Sequence, residues 1–145
     1  MTNEEKQLLL EDICARLPYG VIVDYKENEF EFPHWKITAI YPETLDGWIG
    51  YDKRNGAGSE SGSRPFNIGE VKPYLRPLSS MTKEEENECI GFSRTIIIPH
   101  VRNWFGFSIT NPVFTDWLNA HHFDYRGLIE KGLALEAPVD MYKTE

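Results

Sequence analysis

Apolar and polar positions follow two different periods along this chain, and the change of period divides it. Over residues 3–16 the apolar side chains Leu9, Leu10 and Ile13 fall, with Leu17, on one stripe at helical spacing. Thr2 and Glu5 stand at capping-box spacing ahead of that stripe, while Pro18 and Gly20 close it, so a helix is predicted there. From Gly20 the period falls to two. Residues 20–25, 35–41 and 48–51 read as strands, the second with Trp35, Ile37, Ala39 and Tyr41 on one face. Residues 27–28 and 42–47 carry turn chemistry, and residues 65–68 and 71–75 supply two more extended pieces. Short strands with tight connections predict a small, strongly bent antiparallel sheet or barrel, for which the Src-homology-3 arrangement is one guess.

The period returns to helical after Pro77. Thr82 and Glu85 repeat the capping-box spacing, and Glu84 to Glu88 form a charge run that suits the N-terminal end of a helix dipole and reads as a solvated face. Residues 95–98 are a β-branched run stopped by Pro99, as an edge strand would be. Trp104, Phe105 and Phe107 around Gly106 have two readings: a piece of core, or a partner-binding patch if the helices leave it uncovered. After Pro112 a helix is predicted from about Val113 or Asp116 to His121, with Phe114 and Leu118, or Val113, Trp117 and His121, on a common face.

Residues 122–134 then show several local rules agreeing. Asp124 is placed as an N-cap for a helix beginning at Tyr125, and Gly132 stands where the chain would leave that helix in a left-handed conformation. Leu128 and Leu133 occupy the two positions whose side chains meet in a Schellman ending. Gly127 interrupts the helix and is read as a point of close approach by another segment, in preference to a bend of the helix there. The expected fold class is therefore α+β in a single domain over 1–145. An N-terminal helix precedes a β-rich part at 18–78, and a mainly helical part follows at 82–145.

Two of these segments carry a resemblance. His122-Phe123-Asp124 with Gly127-Leu128-Ile129 and Gly132-Leu133-Ala134 is one motif, and the run from Val71 to Thr82, including Lys72-Pro73-Tyr74-Leu75-Arg76-Pro77-Leu78-Ser79, is a second. In this order they resemble motifs of small uncharacterised proteins encoded by tailed phages and prophages of gut bacteria, Bacteroides and its relatives. The resemblance implies a setting, a phage or mobile-element accessory gene expressed inside a bacterium, and no reaction. A contact is expected between the motifs, Leu75 and Leu78 packing near Leu128 and Leu133.

Composition narrows the function classes. A hydrophobic content of 41% with 13% aromatics is that of a chain with a packed core. The net charge of −8 is shared by both halves, which argues against general nucleic-acid binding, because duplex affinity rests on cations that neutralise phosphates. An acidic surface suits solubility or a basic protein partner. Cys14 and Cys89 stand in no paired or zinc-type spacing and read as buried, reduced thiols. No signal peptide or membrane span is recognisable, so a cytoplasmic location in the bacterial host is expected.

Chemistry-bearing motifs are sparse. The loop at 53–64 holds Gly56, Gly58 and Gly62 at spacings that match neither the dinucleotide fingerprint nor the P-loop, and reads as a hairpin tip. His34 and His100 lie beside prolines without identifiable partners. The one constellation is Asp116, His121, His122 and Asp124. An imidazole–carboxylate pair of His122 and Asp124 would orient a base; the competing reading is that both residues cap and pack helix ends. No catalytic residue, metal or cofactor is assigned. The primary expectation is a non-enzymatic module that binds a host or phage protein. The alternatives are a nucleotide- or small-molecule-binding protein or hydrolase using the His121/His122/Asp124 corner, and a component of the virion or of the DNA-processing machinery.

Overall fold

The computed structural model describes residues 1–25, 35–51, 63–92, 112–138 and 141–142. Helix α1 (Asn3–Arg16) starts where its capping box requires: the Thr2 hydroxyl accepts from the Glu5 N–H at 3.1 Å, and Glu5 Oε2 accepts from the Thr2 N–H at 2.8 Å. A single 3-10 turn, Leu17–Tyr19, and Gly20 at φ 73° lead the chain into the sheet.

The strands are β1 (Ile22–Tyr25), β2 (Trp35–Tyr41), β3 (Asp46–Tyr51), β4 (Ser63–Asn67), β5 (Val71–Leu75) and β6 (Leu135–Glu136). They form one open sheet in the order β4-β3-β2-β1-β5-β6, antiparallel except for the last pair. An α+β fold is thus present, with a sheet rather than a closed barrel among the described residues. β1 is central, and Ile22 and Val23, which point to opposite faces, are both fully buried.

Two local departures from the sequence pattern have identifiable causes, and one strand is additional. β2 does not alternate throughout, because the register shifts between Ile37 and Ala39. The Thr38 hydroxyl donates to the Trp48 carbonyl at 3.1 Å across this bulge. Beyond it Ile40 packs toward the core, while Tyr41, expected on one face with Trp35 and Ile37, is exposed. β3 begins at Asp46, two residues before the expected start, since Gly47 is a strand residue rather than a turn residue: a Cβ there would lie 2.2 Å from the Ala39 carbonyl oxygen. β6 was not foreseen; the expected mainly helical part ends instead by returning to the sheet, parallel to β5.

Helices α2 (Lys83–Phe92) and α3 (Pro112–Ala120) follow the sheet. The capping box of α2 is formed by Thr82 and Glu85 as expected. Phe114, Trp117 and Leu118 bury one face of α3. The helix predicted from Tyr125 is absent. The Asp124 carboxylate does cap, but it accepts from Leu128 and Ile129, both at 2.9 Å, and reaches over a reversal at Gly127, whose φ is 75°. That left-handed turn is the reason for glycine at 127, in place of the close approach expected there, since nothing lies within 4 Å of a Cβ at that position. The Schellman closure survives without its helix. Leu133 N–H donates to Leu128 O and Gly132 N–H to Ile129 O, at 2.9 and 3.0 Å, with Gly132 at φ 76° and both leucines in the core.

Two apolar clusters result among the described residues. The larger joins α1, the sheet and Leu128, Leu133 and Ala134; the smaller holds Met81, Phe114, Trp117, Leu118, Phe123 and Tyr125, with Leu78 against it. Leu75 therefore shares a cluster with Leu128 and Leu133 as expected, and Leu78 belongs to the other one.

A buried polar network ties the clusters together. Asp12 and Arg16, both fully buried on the inner face of α1, form an ion pair at 2.8 Å, and Asp12 also receives Arg126 at 2.7 Å. Arg16 Nη2 donates to the Phe123 carbonyl at 2.6 Å, and its guanidinium lies over the Tyr125 ring, whose hydroxyl donates to Asn119. Cys14, expected buried, is half-buried, and partial burial raises its thiol pKa.

Asp12→Ala leaves buried guanidinium charge without its counter-ion, and chemical denaturation should show a loss of about 3–5 kcal/mol. Gly47→Ala drives a methyl into the β2 backbone and should cost about 3 kcal/mol. Gly127→Ala meets open space and should cost only about 1–2 kcal/mol for its left-handed backbone. Equal losses at the two glycines would refute the assigned roles.

Candidate functional site

The residues that join the sheet to the C-terminal part meet at Arg76, directly after β5. Its N–H donates to the His122 carbonyl at 2.7 Å, and its carbonyl accepts from the Asp124 N–H at 2.8 Å, a one-residue parallel bridge to Phe123. The two segments that carry the resemblance are therefore paired through their main chains. The side chain of Arg76 then makes a third connection. Nη1 and Nη2 grip the Glu85 carboxylate at 2.8 and 2.7 Å, Nη1 also reaches the His121 carbonyl at 3.4 Å, and the guanidinium stacks 4.2 Å from the Phe123 ring centroid.

Glu85 is thus both the cap of α2 and the partner of Arg76. Burial acts to raise its carboxyl pKa, but hydrogen bonds from Arg76 and from the Thr82 N–H, with the guanidinium charge, outweigh burial and bring it from 4.5 down to about 2. The carboxylate remains ionised throughout the physiological range.

The four residues expected to form a corner are near one another in sequence and diverge in space. His121 stacks on Trp117, ring centroids 4.0 Å apart, with Nδ1 2.9 Å from the Trp117 carbonyl oxygen. Asp116, on exposed α3 surface, accepts the Tyr19 hydroxyl; that hydrogen bond, partial desolvation and the carboxylate charge raise the Tyr19 phenol. His122 is buried at φ 62° and stacks on Tyr142 at 3.6 Å. Asp124 turns the other way to hold the loop at 128–129. Among the described residues no group of three or more His, Cys, Asp or Glu side chains is placed to hold a metal ion. Trp104, Phe105 and Phe107 lie outside the described residues, as do His34, His100, the 95–98 run and most of the glycine-rich loop.

Tyr142 has a further role. Its hydroxyl donates to the Tyr74 carbonyl at 2.7 Å and accepts from the Ile22 N–H at 3.0 Å, so it fills the gap between β1 and β5. In front of it opens a cleft of about 420 Å³, lined among others by Arg76, Ser80, Glu85, Glu136, Met141 and Tyr142. This cleft lies beside the predicted corner and is built from different side chains. Sequence reasoning missed it, although Arg76 stood within a motif and Glu85 within a capping box.

A second surface is the outer face of β2, β3 and β4. Trp48 and Tyr41 are 41% and 50% exposed, and the register sets Ala39 and Pro65 on either side of Trp48. The bulge in β2 brings Tyr41 to this face. Pro65 has no N–H to offer a new strand, so the β4 edge is poorly suited to pairing with another chain.

Among the described residues no helix is long and apolar enough to cross a membrane. Comparison with protein-family models, with curated proteins and with solved structures gave no match to the chain.

The Arg76–Glu85 pair gives the fold a defined acid response. Glu85 has a depressed folded-state pKa, so its stabilisation is complete above about pH 4.5 and is lost as pH falls toward about 2. Stability measured against pH should decline more shallowly in this window for Glu85→Gln than for the parent chain, from a lower plateau at neutral pH.

Proposed function

We propose that this chain is a non-enzymatic protein-binding module of a phage or mobile element, acting on a host or phage protein inside the bacterial cell. The observation that carries the reading is the outward Trp48–Tyr41 pair on a sheet face. Apart from Met1, these are the large hydrophobic side chains left exposed among the described residues. Tryptophan and tyrosine supply large contact area with little side-chain entropy to lose, which is why they dominate binding hot spots. Glu43 and Asp46 lie in and just after the turn between the two strands, and the whole chain carries −8, so the complementary partner has a basic rim around an apolar centre.

A hydrolase reading has less support. His121 contacts Trp117, His122 stacks on Tyr142 and Asp124 holds the Leu128 N–H, so these contacts point the three side chains toward different neighbours.

Trp48→Ala and Tyr41→Ala should lower the melting temperature only modestly, because the two residues are 41% and 50% exposed and outside both apolar clusters. Against a defined basic partner, each should weaken binding by more than about 1 kcal/mol in calorimetry. Partner binding indifferent to both substitutions would overturn the reading, as would sedimentation showing that the face is covered by a second copy of this chain.

A further inference from the structure

The cleft in front of Arg76 has a chemistry of its own, independent of the sheet face. Its hydrogen-bond donors are largely committed. Arg76 Nη1 and Nη2 donate to Glu85 and the His121 carbonyl, the Ser80 hydroxyl donates to the Pro77 carbonyl at 2.7 Å, and the Tyr142 hydroxyl donates to Tyr74. Acceptors are not. Glu85 Oε1 receives Arg76 and the Thr82 N–H, whereas Oε2 receives Arg76 alone. The Glu136 carboxylate, on the exposed side of β6, forms no ion pair among the described residues.

Charge points the same way. One guanidinium lines the cleft against two carboxylates; it is paired with Glu85, which leaves the charge of Glu136 in excess. The N-terminus of α2 offers no compensating positive end, since Glu84, Glu85 and Glu86 occupy its first turn. Between the carboxylates the wall is apolar, with Pro77, Ala137, Pro138 and Met141. Such a wall suits an aliphatic stem, and its volume of about 420 Å³ lies within the span of small-ligand sites.

We propose that this cleft binds an alkyl cation, an ammonium or guanidinium group on an aliphatic stem, with Glu136 and the free side of Glu85 receiving the charged head and Met141 and Pro138 covering the stem. The same chemistry is offered by a lysine or arginine side chain of a protein and by a free polyamine. An anion would face the excess of carboxylate charge, with the Thr82 hydroxyl as an uncommitted side-chain donor among the described lining residues.

The test is a titration of the chain followed by amide chemical shifts, with n-butylammonium and N-butylguanidinium as probes and butyrate and butanol as controls. Saturable shifts clustered at Arg76, Ser80, Glu136 and Met141 for the cations, absent for butyrate and butanol, are expected. Glu136→Gln, an exposed substitution that keeps the fold, should weaken the cations by about fivefold. Comparing Gly-Lys-Gly with spermidine then identifies the source: tighter binding of the peptide assigns the head group to a partner protein, and tighter binding of spermidine assigns it to a free polyamine. No cation response, a response shared equally by butanol, or affinity unchanged in Glu136→Gln would overturn the proposal. Trp48→Ala, which weakens the sheet-face site, should leave this titration untouched.

Discussion

Arg76 is the residue through which the C-terminal part of the chain is fastened to the sheet. Its main chain holds residues 122–124, and its side chain holds the first turn of α2 and the ring of Phe123. The first turn of α2, nine residues on, and the segment at His121, 45 residues on, share one guanidinium. Lysine cannot replace that arrangement, because the bidentate grip on a carboxylate and the planar stack on an aromatic ring both require the guanidinium fork. The cleft is a by-product of the same geometry: it opens where α2 and β6 diverge around the Arg76–Glu85 pair.

The second fastening, Asp12 with Arg16 and Arg126, is more deeply buried and differs in kind. Removing charges from water is expensive, so a buried carboxylate between two guanidinium groups is weak evidence for stability gained and stronger evidence for an arrangement specified. Its partners are fixed in position. Arg16 also accounts for the Phe123 carbonyl, a buried main-chain acceptor in a non-helical stretch, and it faces Tyr125, which the smaller apolar cluster contains. Packing between α1 and the C-terminal loop is thereby set in register by polar contacts at the boundary of two oily regions.

How much of this was legible in the residues depended on the range of the interactions. Capping boxes at Thr2 and Thr82, the α1 stripe and the Gly132 closure are decided within a few positions, and they stand as the sequence rules require. The strands were recognisable from alternation, except where the bulge at Thr38 turned Tyr41 outward, an event decided by pairing with β3. Asp124 was correctly placed as a cap, but the helix it was to start was prevented by the left-handed turn at Gly127. Asp12 and Arg16 left a usable signal, two charges four residues apart on the same stripe as Leu9 and Ile13. Tyr142 left none, because its partners are 120 and 68 residues away. The candidate corner was legible as a cluster of residue types and illegible as geometry, since neighbours at the end of a helix point in different directions.

Tyr142 bears on the order in which the molecule can be completed. The N–H of Ile22, in the central strand, is met by a hydroxyl that emerges from the ribosome 120 residues later, and β5 is flanked by β6 only after α2 and α3 have been made. The meander of β1 to β4 is local and can assemble early, whereas the seam between β1 and β5 is sealed last, by contacts of high sequence separation that are slow to form. Until then the nascent sheet carries an open flank on the side away from Pro65, and the departing chain must fold back across its own first strand to cover it.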